Sequence, residues 1–212
     1  MNRTAYTTSG DRISSARGSK GIVVMTVETY LRNAADVINR TADVLVDGRV
    51  EQAIQAITTA LSANKAMLVC GNGGSASDAM HITGELVGRF LQERRALKCI
   101  CLASNASVLT AWGNDYEFET VFSRQVEAYG EPGGVLLGIS TSGNSMNVLN
   151  ALAKARELKM TTIGLTGEGG GKMAALCDVL IDVPSRATPE TQQVHLCIYH
   201  HMCAEIEKRS CI

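Results

Sequence analysis

The chain has 212 residues, a net charge of −1, 45% hydrophobic residues and only 4% aromatic residues. That length builds one α/β domain on an aliphatic core. The near-neutral charge gives no broad attraction to nucleic acid or to an anionic membrane, and no apolar stretch approaches the roughly 20 residues of a membrane span.

Residues 1–24 are rich in Ser, Thr, Gly and Arg without periodicity and read as a flexible leader. Residues 25–212 read as a single domain. Val27, Leu31, Ala34, Ile38 and Leu45 recur at helical spacing until Asp47-Gly48 ends the run. A second helix carries Val50, Ile54, Ile57 and Leu61. Strands are then expected at residues 66–70, 98–102, 135–139, 161–165 and 179–183. Helices are expected between them at 76–90, 108–112, 118–128, 147–158 and 172–176, with a long closing helix over 189–208. Five short apolar strands separated by helices predict a parallel sheet covered on both faces. Ligands of such sheets bind outside the carboxyl ends of the strands. The seven cysteines are odd in number and contain no C-x-x-C pair. Several lie in apolar runs, where Cys behaves as a small hydrophobe, and this usage fits a reducing cytoplasm.

Two glycine-bearing loops stand at strand ends. The segment Gly138-Ile139-Ser140-Thr141-Ser142-Gly143-Asn144-Ser145 delivers four hydroxyls and a turn glycine to a helix start. Free N–H groups and the positive dipole end favour an anion there, so the segment reads as a phosphate cradle rather than an ordinary Ser-capped loop. Gly71-Asn72-Gly73-Gly74-Ser75-Ala76 formally matches the dinucleotide pattern G-x-G-x-x-A. The second strand, however, ends Leu102-Ala103-Ser104-Asn105, without the acid that would hold a ribose. The run Gly167-Glu168-Gly169-Gly170-Gly171-Lys172 is one residue short of a P-loop and continues with Met173, so it reads as a tight connection.

His81 and Glu85 share one helix face and could bind a metal or act on a substrate, or be an ordinary exposed pair. The closing helix holds three of the four histidines, His195, His200 and His201, together with Gln192. Gln192 and His200 lie two turns apart, about 12 Å along the axis. Which histidine faces a site stays open, and His195 could equally be a core or interface residue. Asn114-Asp115 could bond sugar hydroxyls or form a polar turn. Arg89 and Arg124 could meet a phosphate, a neighbouring subunit or solvent.

Taken together, these segments resemble the phosphoheptose isomerases of the sugar-isomerase (SIS) fold over residues 26–208. The resemblance rests on Cys70-Gly-Asn-Gly-Gly-Ser75, His81-x3-Glu85, Gly113-Asn-Asp115, Phe122-Ser-Arg124, the Ser/Thr loop, Leu165-Thr-Gly167, Gly170-Gly-Lys-Met173 and Gln192-x7-His200. It implies a three-layer fold with N-terminal helices and a cytoplasmic homotetramer with active sites at subunit interfaces. It implies sugar-phosphate contacts by Asn72, Gly73, Gly74, Ser75, Glu85, Asn114, Asp115, Ser140, Thr141, Ser142, Ser145 and Gln192. It also implies one zinc ion per subunit on His81, Glu85, Gln192 and His200. The implied reaction is aldose–ketose isomerisation of a heptose 7-phosphate through an enediol, the step that begins ADP-heptose synthesis for lipopolysaccharide and related glycans. Glu85 is the candidate base and His200 the candidate acid. Pro189 stands where some members have aspartate, and Gln193 where glutamate is common. A relative that binds the bacterial replication initiator without catalysis lacks the site glutamate and has arginine in the Ser/Thr loop. Here Glu85 and Ser142 are both present.

Overall fold

The computed structural model describes residues 25–210, so the leader expected over residues 1–24 lies outside the described residues. Two helices open the fold, α1 (Val27–Val44) and α2 (Arg49–Ser62). The Thr26 hydroxyl caps α1 by accepting from the Thr29 N–H at 3.2 Å. Gly48, at φ +83°, supplies the left-handed residue that turns the chain into α2. Alternation follows: β1 (Met67–Gly71), α3 (Gly74–Val87), β2 (Cys99–Cys101), α4 (Ala106–Asp115), α5 (Val121–Tyr129), β3 (Val135–Ser140), α6 (Met146–Glu157), β4 (Thr161–Thr166), β5 (Val179–Asp182) and α7 (Thr188–Ser210).

All five strands pair in parallel in the order β2-β1-β3-β4-β5. Every residue of β1 and of β3 is buried, which is why these strands read as continuous apolar runs rather than alternating ones. Met67, Val69, Leu137 and Leu165 face a layer containing α2, α3 and α7. Leu68 and Leu136 face the opposite layer, with Phe122 and Val126 of α5 and Val148 and Leu152 of α6. Each face thus buries its own aliphatic cluster, and few aromatics are needed.

The element boundaries depart from expectation at several places, and the helix expected at 172–176 is a 3-10 turn, Gly171–Ala175. The α3 helix begins at Gly74, two residues early, and stops at Val87. The α4 helix runs on through Asn114 and Asp115 instead of leaving them in a following turn. The helix expected at 118–128 divides into a 3-10 turn, Phe118–Thr120, and α5. No helix among the described residues is long and apolar enough to cross a membrane.

The crossover from β1 packs α3 on one face, while that from β3 packs α6 on the other. The order therefore reverses direction between β1 and β3, and their carboxyl ends diverge into a crevice. Such a switch point is where open α/β sheets bind ligands. Register places Gly71 beside Ile139 there, so the Gly loop and the Ser/Thr loop are neighbours by topology.

A buried ionic buckle ties the far end of α3 to α7. Glu207 accepts from the backbone N–H groups of Phe90 (2.9 Å), Leu91 (2.6 Å) and Gln92 (2.9 Å). Arg94 approaches the same carboxylate at 3.3 Å, and both side chains are 1% exposed. Arg94 also donates to the carbonyls of Glu85 (2.6 Å) and Gly88 (2.7 Å). A cation thereby meets the negative end of the α3 dipole.

Candidate active site

The crevice holds a cavity of about 310 Å³ lined by Asn72, Gly73, Gly74, Ser75, Ser140, Thr141, Ser142, Ser145, Thr188 and Gln192. The N-termini of α3, α6 and α7 all open on it. Ser145 stands at the N-cap of α6 but makes no side-chain cap bond. Its hydroxyl instead meets that of Ser140 at 3.0 Å. Among the described residues no Lys or Arg lines the cavity; helix ends and hydroxyls supply its positive potential and its donors.

Two further contacts shape the cradle. Gly143 has φ +64°, and a Cβ there would overlap the Gly170 carbonyl. The second glycine run is therefore the tight connection expected, packed against the Ser/Thr loop. Asn144 reinforces that contact by accepting from the Lys172 N–H at 3.1 Å. Asn72 and Asn147 exchange both amide hydrogen bonds at 2.8 Å, clamping the Gly loop to the start of α6. Asn147 is buried and was not anticipated from sequence. Its one local signal is its place two residues after Ser145, because the partner Asn72 lies 75 positions away.

Two turns further along α3 is a second cluster. One ligand atom each from His81, Glu85 and His200 lie within 4.8 Å of one another. His81 Nε2 is 3.0 Å from Glu85 Oε1, and its Nδ1 is 2.9 Å from the Tyr199 phenol oxygen. The His200 ring lies edge-on to His81 with centroids 5.0 Å apart and stacks on Phe90 at 5.5 Å. The buckle described above therefore positions Phe90 behind His200. Burial, reinforced by the neighbouring Asp78, pushes the Tyr199 phenol up, so it stays an O–H donor. Two imidazoles and a carboxylate form a donor set suited to zinc, and such three-ligand sites leave a coordination position open.

The structure separates the three histidines of α7. His195 is fully buried with Nε2 3.1 Å from the Thr166 carbonyl. Burial lowers its pKa to about 4, so it is a neutral core residue. His201 is exposed beside an apolar groove between α1 and α7. Only His200 joins His81 and Glu85. Gln192 lies on the anion cavity, where a Cβ on Gly74 would collide with its carboxamide. It is eight residues from His200, about 12 Å along the helix.

Asn114 and Asp115 bond to each other at 2.8 Å and are exposed at the end of α4, away from the cavity wall. Arg124 bonds Glu127 at 2.9 Å and lies over the Trp112 ring, while Arg89 pairs with Glu93 at 3.0 Å. Neither arginine lines the cavity. Pro189 is in the first turn of α7, and Gln193 donates to the Tyr30 phenol at 2.8 Å, joining α7 to α1.

Comparison with known proteins shows the family of this chain. Residues 29–167 match the model of the SIS domain. A phosphoheptose isomerase of Rhodospirillum rubrum is 48% identical over 185 residues, covering 87% of this chain and 97% of that protein. One from Nitratidesulfovibrio vulgaris is 53% identical over 157 residues, covering 74% of this chain and 75% of its own length. The solved phosphoheptose isomerase of Neisseria gonorrhoeae superposes with a TM-score of 0.81 at 40% identity, covering 86% of this chain and 97% of that one.

Proposed function

This chain belongs to the SIS-domain phosphoheptose isomerases, and from that premise we propose how its residues divide the work. The enzyme is an aldose–ketose isomerase converting sedoheptulose 7-phosphate to D-glycero-D-manno-heptose 7-phosphate. The observation that carries the assignment of roles is the spacing of the two clusters along α3. Gly74 borders the anion cavity and His81 the second cluster, seven residues or about 10 Å apart. A seven-carbon chain ending in a phosphate ester has eight bonds from C1 to phosphorus. At roughly 1.2 Å per bond it spans about the same length.

The cradle of Ser140, Thr141, Ser142 and Ser145 holds the phosphate, with Gly73, Gly74 and Ser75 presenting the start of α3. Asn72 and Gln192 bond the sugar hydroxyls along the way. At the far end the Glu85 carboxylate removes a proton from C1 of the ketose and returns it to C2, through an enediol. His200 donates a proton to the C2 oxygen and accepts one from the C1 hydroxyl, so the product is an isomer with no net proton change. His81, Glu85 and His200, with Gln192 as the further ligand, would hold a zinc ion, and Gln192, seated against Gly74, also meets the substrate. The ion when bound supplies a Lewis acid for the carbonyl and the developing oxyanion.

The homotetramer also belongs to this proposal. No residue of α4 is buried, and Tyr116 and Phe118 beside it are 62% and 51% exposed. This surface suits a subunit interface that carries Asn114 and Asp115 to the cavity of a neighbouring copy. The product feeds ADP-heptose synthesis for lipopolysaccharide or related glycans, in the cytoplasm. The described cysteines, all free, support that placement.

The test is turnover of sedoheptulose 7-phosphate in D2O, followed by proton NMR. Aldose is the expected product, carrying deuterium at C2 where the proton held on Glu85 exchanges with solvent before its return, and no aldose with zinc supplied would overturn the reading. His200→Ala is expected to lower zinc content and turnover together, measured by metal analysis of the dialysed protein. Gly143→Ala forces a side chain into a left-handed residue against Gly170, a strain of about 1–3 kcal/mol. It is expected to raise KM roughly tenfold while leaving metal content unchanged.

A further inference from the structure

His81 meets a different partner at each ring nitrogen, and the buried side of that pairing is built. Tyr199 is 1% exposed and its ring stands edge-on to His81. Its phenol oxygen is 2.9 Å from His81 Nδ1 and 3.4 Å from Asp78 Oδ1. Asp78 sits three residues before His81 on α3, so the two side chains share a face. The other carboxylate oxygen of Asp78 is buried without a partner among the described residues, which leaves Tyr199 as its polar neighbour.

The phenol proton of Tyr199 points to Asp78, and that assignment sets the direction along the row. A carboxylate only accepts, and a phenol has one proton to give. With that proton directed to Asp78, the phenol oxygen accepts from His81 Nδ1–H. The Nε2 lone pair then faces the Glu85 carboxylate oxygen at 3.0 Å. Two acceptors that close leave a place for a cation between them. In the reversed tautomer, Nε2–H would be committed to Glu85 and neither atom would be free for a metal.

We propose that Tyr199, backed by Asp78, is a positioning residue that fixes His81 in the Nδ1–H tautomer and so presents Nε2 and Glu85 together to a metal ion. The last part rests on the metal reading above; the tautomer is a property of the chain itself. Hydrogen-bonded partners of ligating histidines act this way generally, and their loss costs about 10–100-fold in metal affinity.

The experiment uses the full chain labelled with 15N-histidine and stripped of metal by chelation at pH 8.5. Long-range proton–nitrogen correlation reports the tautomer of each imidazole, and His81→Asn identifies the His81 signals among the four histidines. The expected result is a protonated Nδ1 in the wild-type chain, lost in Tyr199→Phe and weakened in Asp78→Ala. Zinc affinity is measured in parallel by competition with a chromophoric chelator, and Tyr199→Phe is expected to bind zinc about 10–100-fold more weakly. Thermal unfolding of the metal-free proteins checks that the retained phenyl ring keeps the fold. A wild-type His81 with Nε2 protonated would overturn the proposal. So would unchanged zinc affinity in Tyr199→Phe. Wild-type protein that binds zinc no better than His81→Asn would instead sink the metal reading, while the nitrogen spectra still decide the tautomer.

Discussion

Glu85→Gln is expected to lower kcat on sedoheptulose 7-phosphate by a factor on the order of 10²–10⁴, the usual contribution of a positioned general base. Glutamine keeps the size of the side chain but accepts no proton from C1. Glu85 sits at a partly open edge, with its side chain 20% exposed, so the melting temperature is expected to stay within about 2 °C of wild type, as for substitutions away from the core. The same carboxylate is a proposed zinc ligand, and metal analysis separates the two roles. Lost turnover with zinc retained assigns Glu85 as the base. Lost turnover with lost zinc assigns it mainly as a ligand. A kcat within threefold of wild type would remove it from the chemistry altogether.

Glu207→Ala should be the most damaging single change to stability outside the apolar core. It orphans three backbone N–H groups and leaves the Arg94 guanidinium buried without its carboxylate. Breaking a buried pair in this way costs about 3–5 kcal/mol. For a domain of this size that corresponds to a fall in melting temperature of about 10 °C, measurable by circular dichroism. A fall of less than 2 °C would show that the buckle contributes little. Burial alone would raise the Glu207 pKa. The donors from Phe90, Leu91 and Gln92, with Arg94, more than offset that and hold it below the ordinary carboxylate value. Its folded-state pKa being lowered, the stabilisation is complete above the unfolded carboxylate range near 4.3. It is lost as pH falls through the lowered value. The wild-type and Glu207→Ala melting temperatures should therefore converge in acid. The variant should also lose activity beyond its loss of stability, because the buckle holds Phe90 against His200.

The places where sequence and structure part company share a cause. Helical spacing put His81 and Glu85 on one face of α3, and they meet there, because a four-residue offset is decided within one helix. The same reasoning left three histidines open on α7. Their difference lies in what each faces: the Thr166 carbonyl at the end of β4 for His195, a groove against α1 for His201, and His81 for His200. Gln192 and His200 form a pair in the motif; on α7 they stand eight residues apart, Gln192 on the cavity wall and His200 beside His81. Asn114 and Asp115 were legible as polar residues near a helix. Their distance from the cavity follows from the length of α4, whose end is one of the boundaries local patterning places least well.

By itself the sequence determined the alternation of strands and helices, the hydroxyl-rich loop, the Gly loop and the His81–Glu85 pair. Each depends on residues within about eight positions of one another. Apolar runs form buried strands, glycines permit the turns, and side chains three or four apart share a helix face. Only the tertiary structure decided the strand order that opens the crevice between β1 and β3, the contact of His200 with His81, the Asn72–Asn147 clamp, the Arg94–Glu207 buckle and the row from Asp78 through Tyr199 to His81. These features join residues mostly 75 to 121 positions apart. Their geometry is set by how two helical layers pack on a twisted sheet, and no local pattern along the chain encodes it.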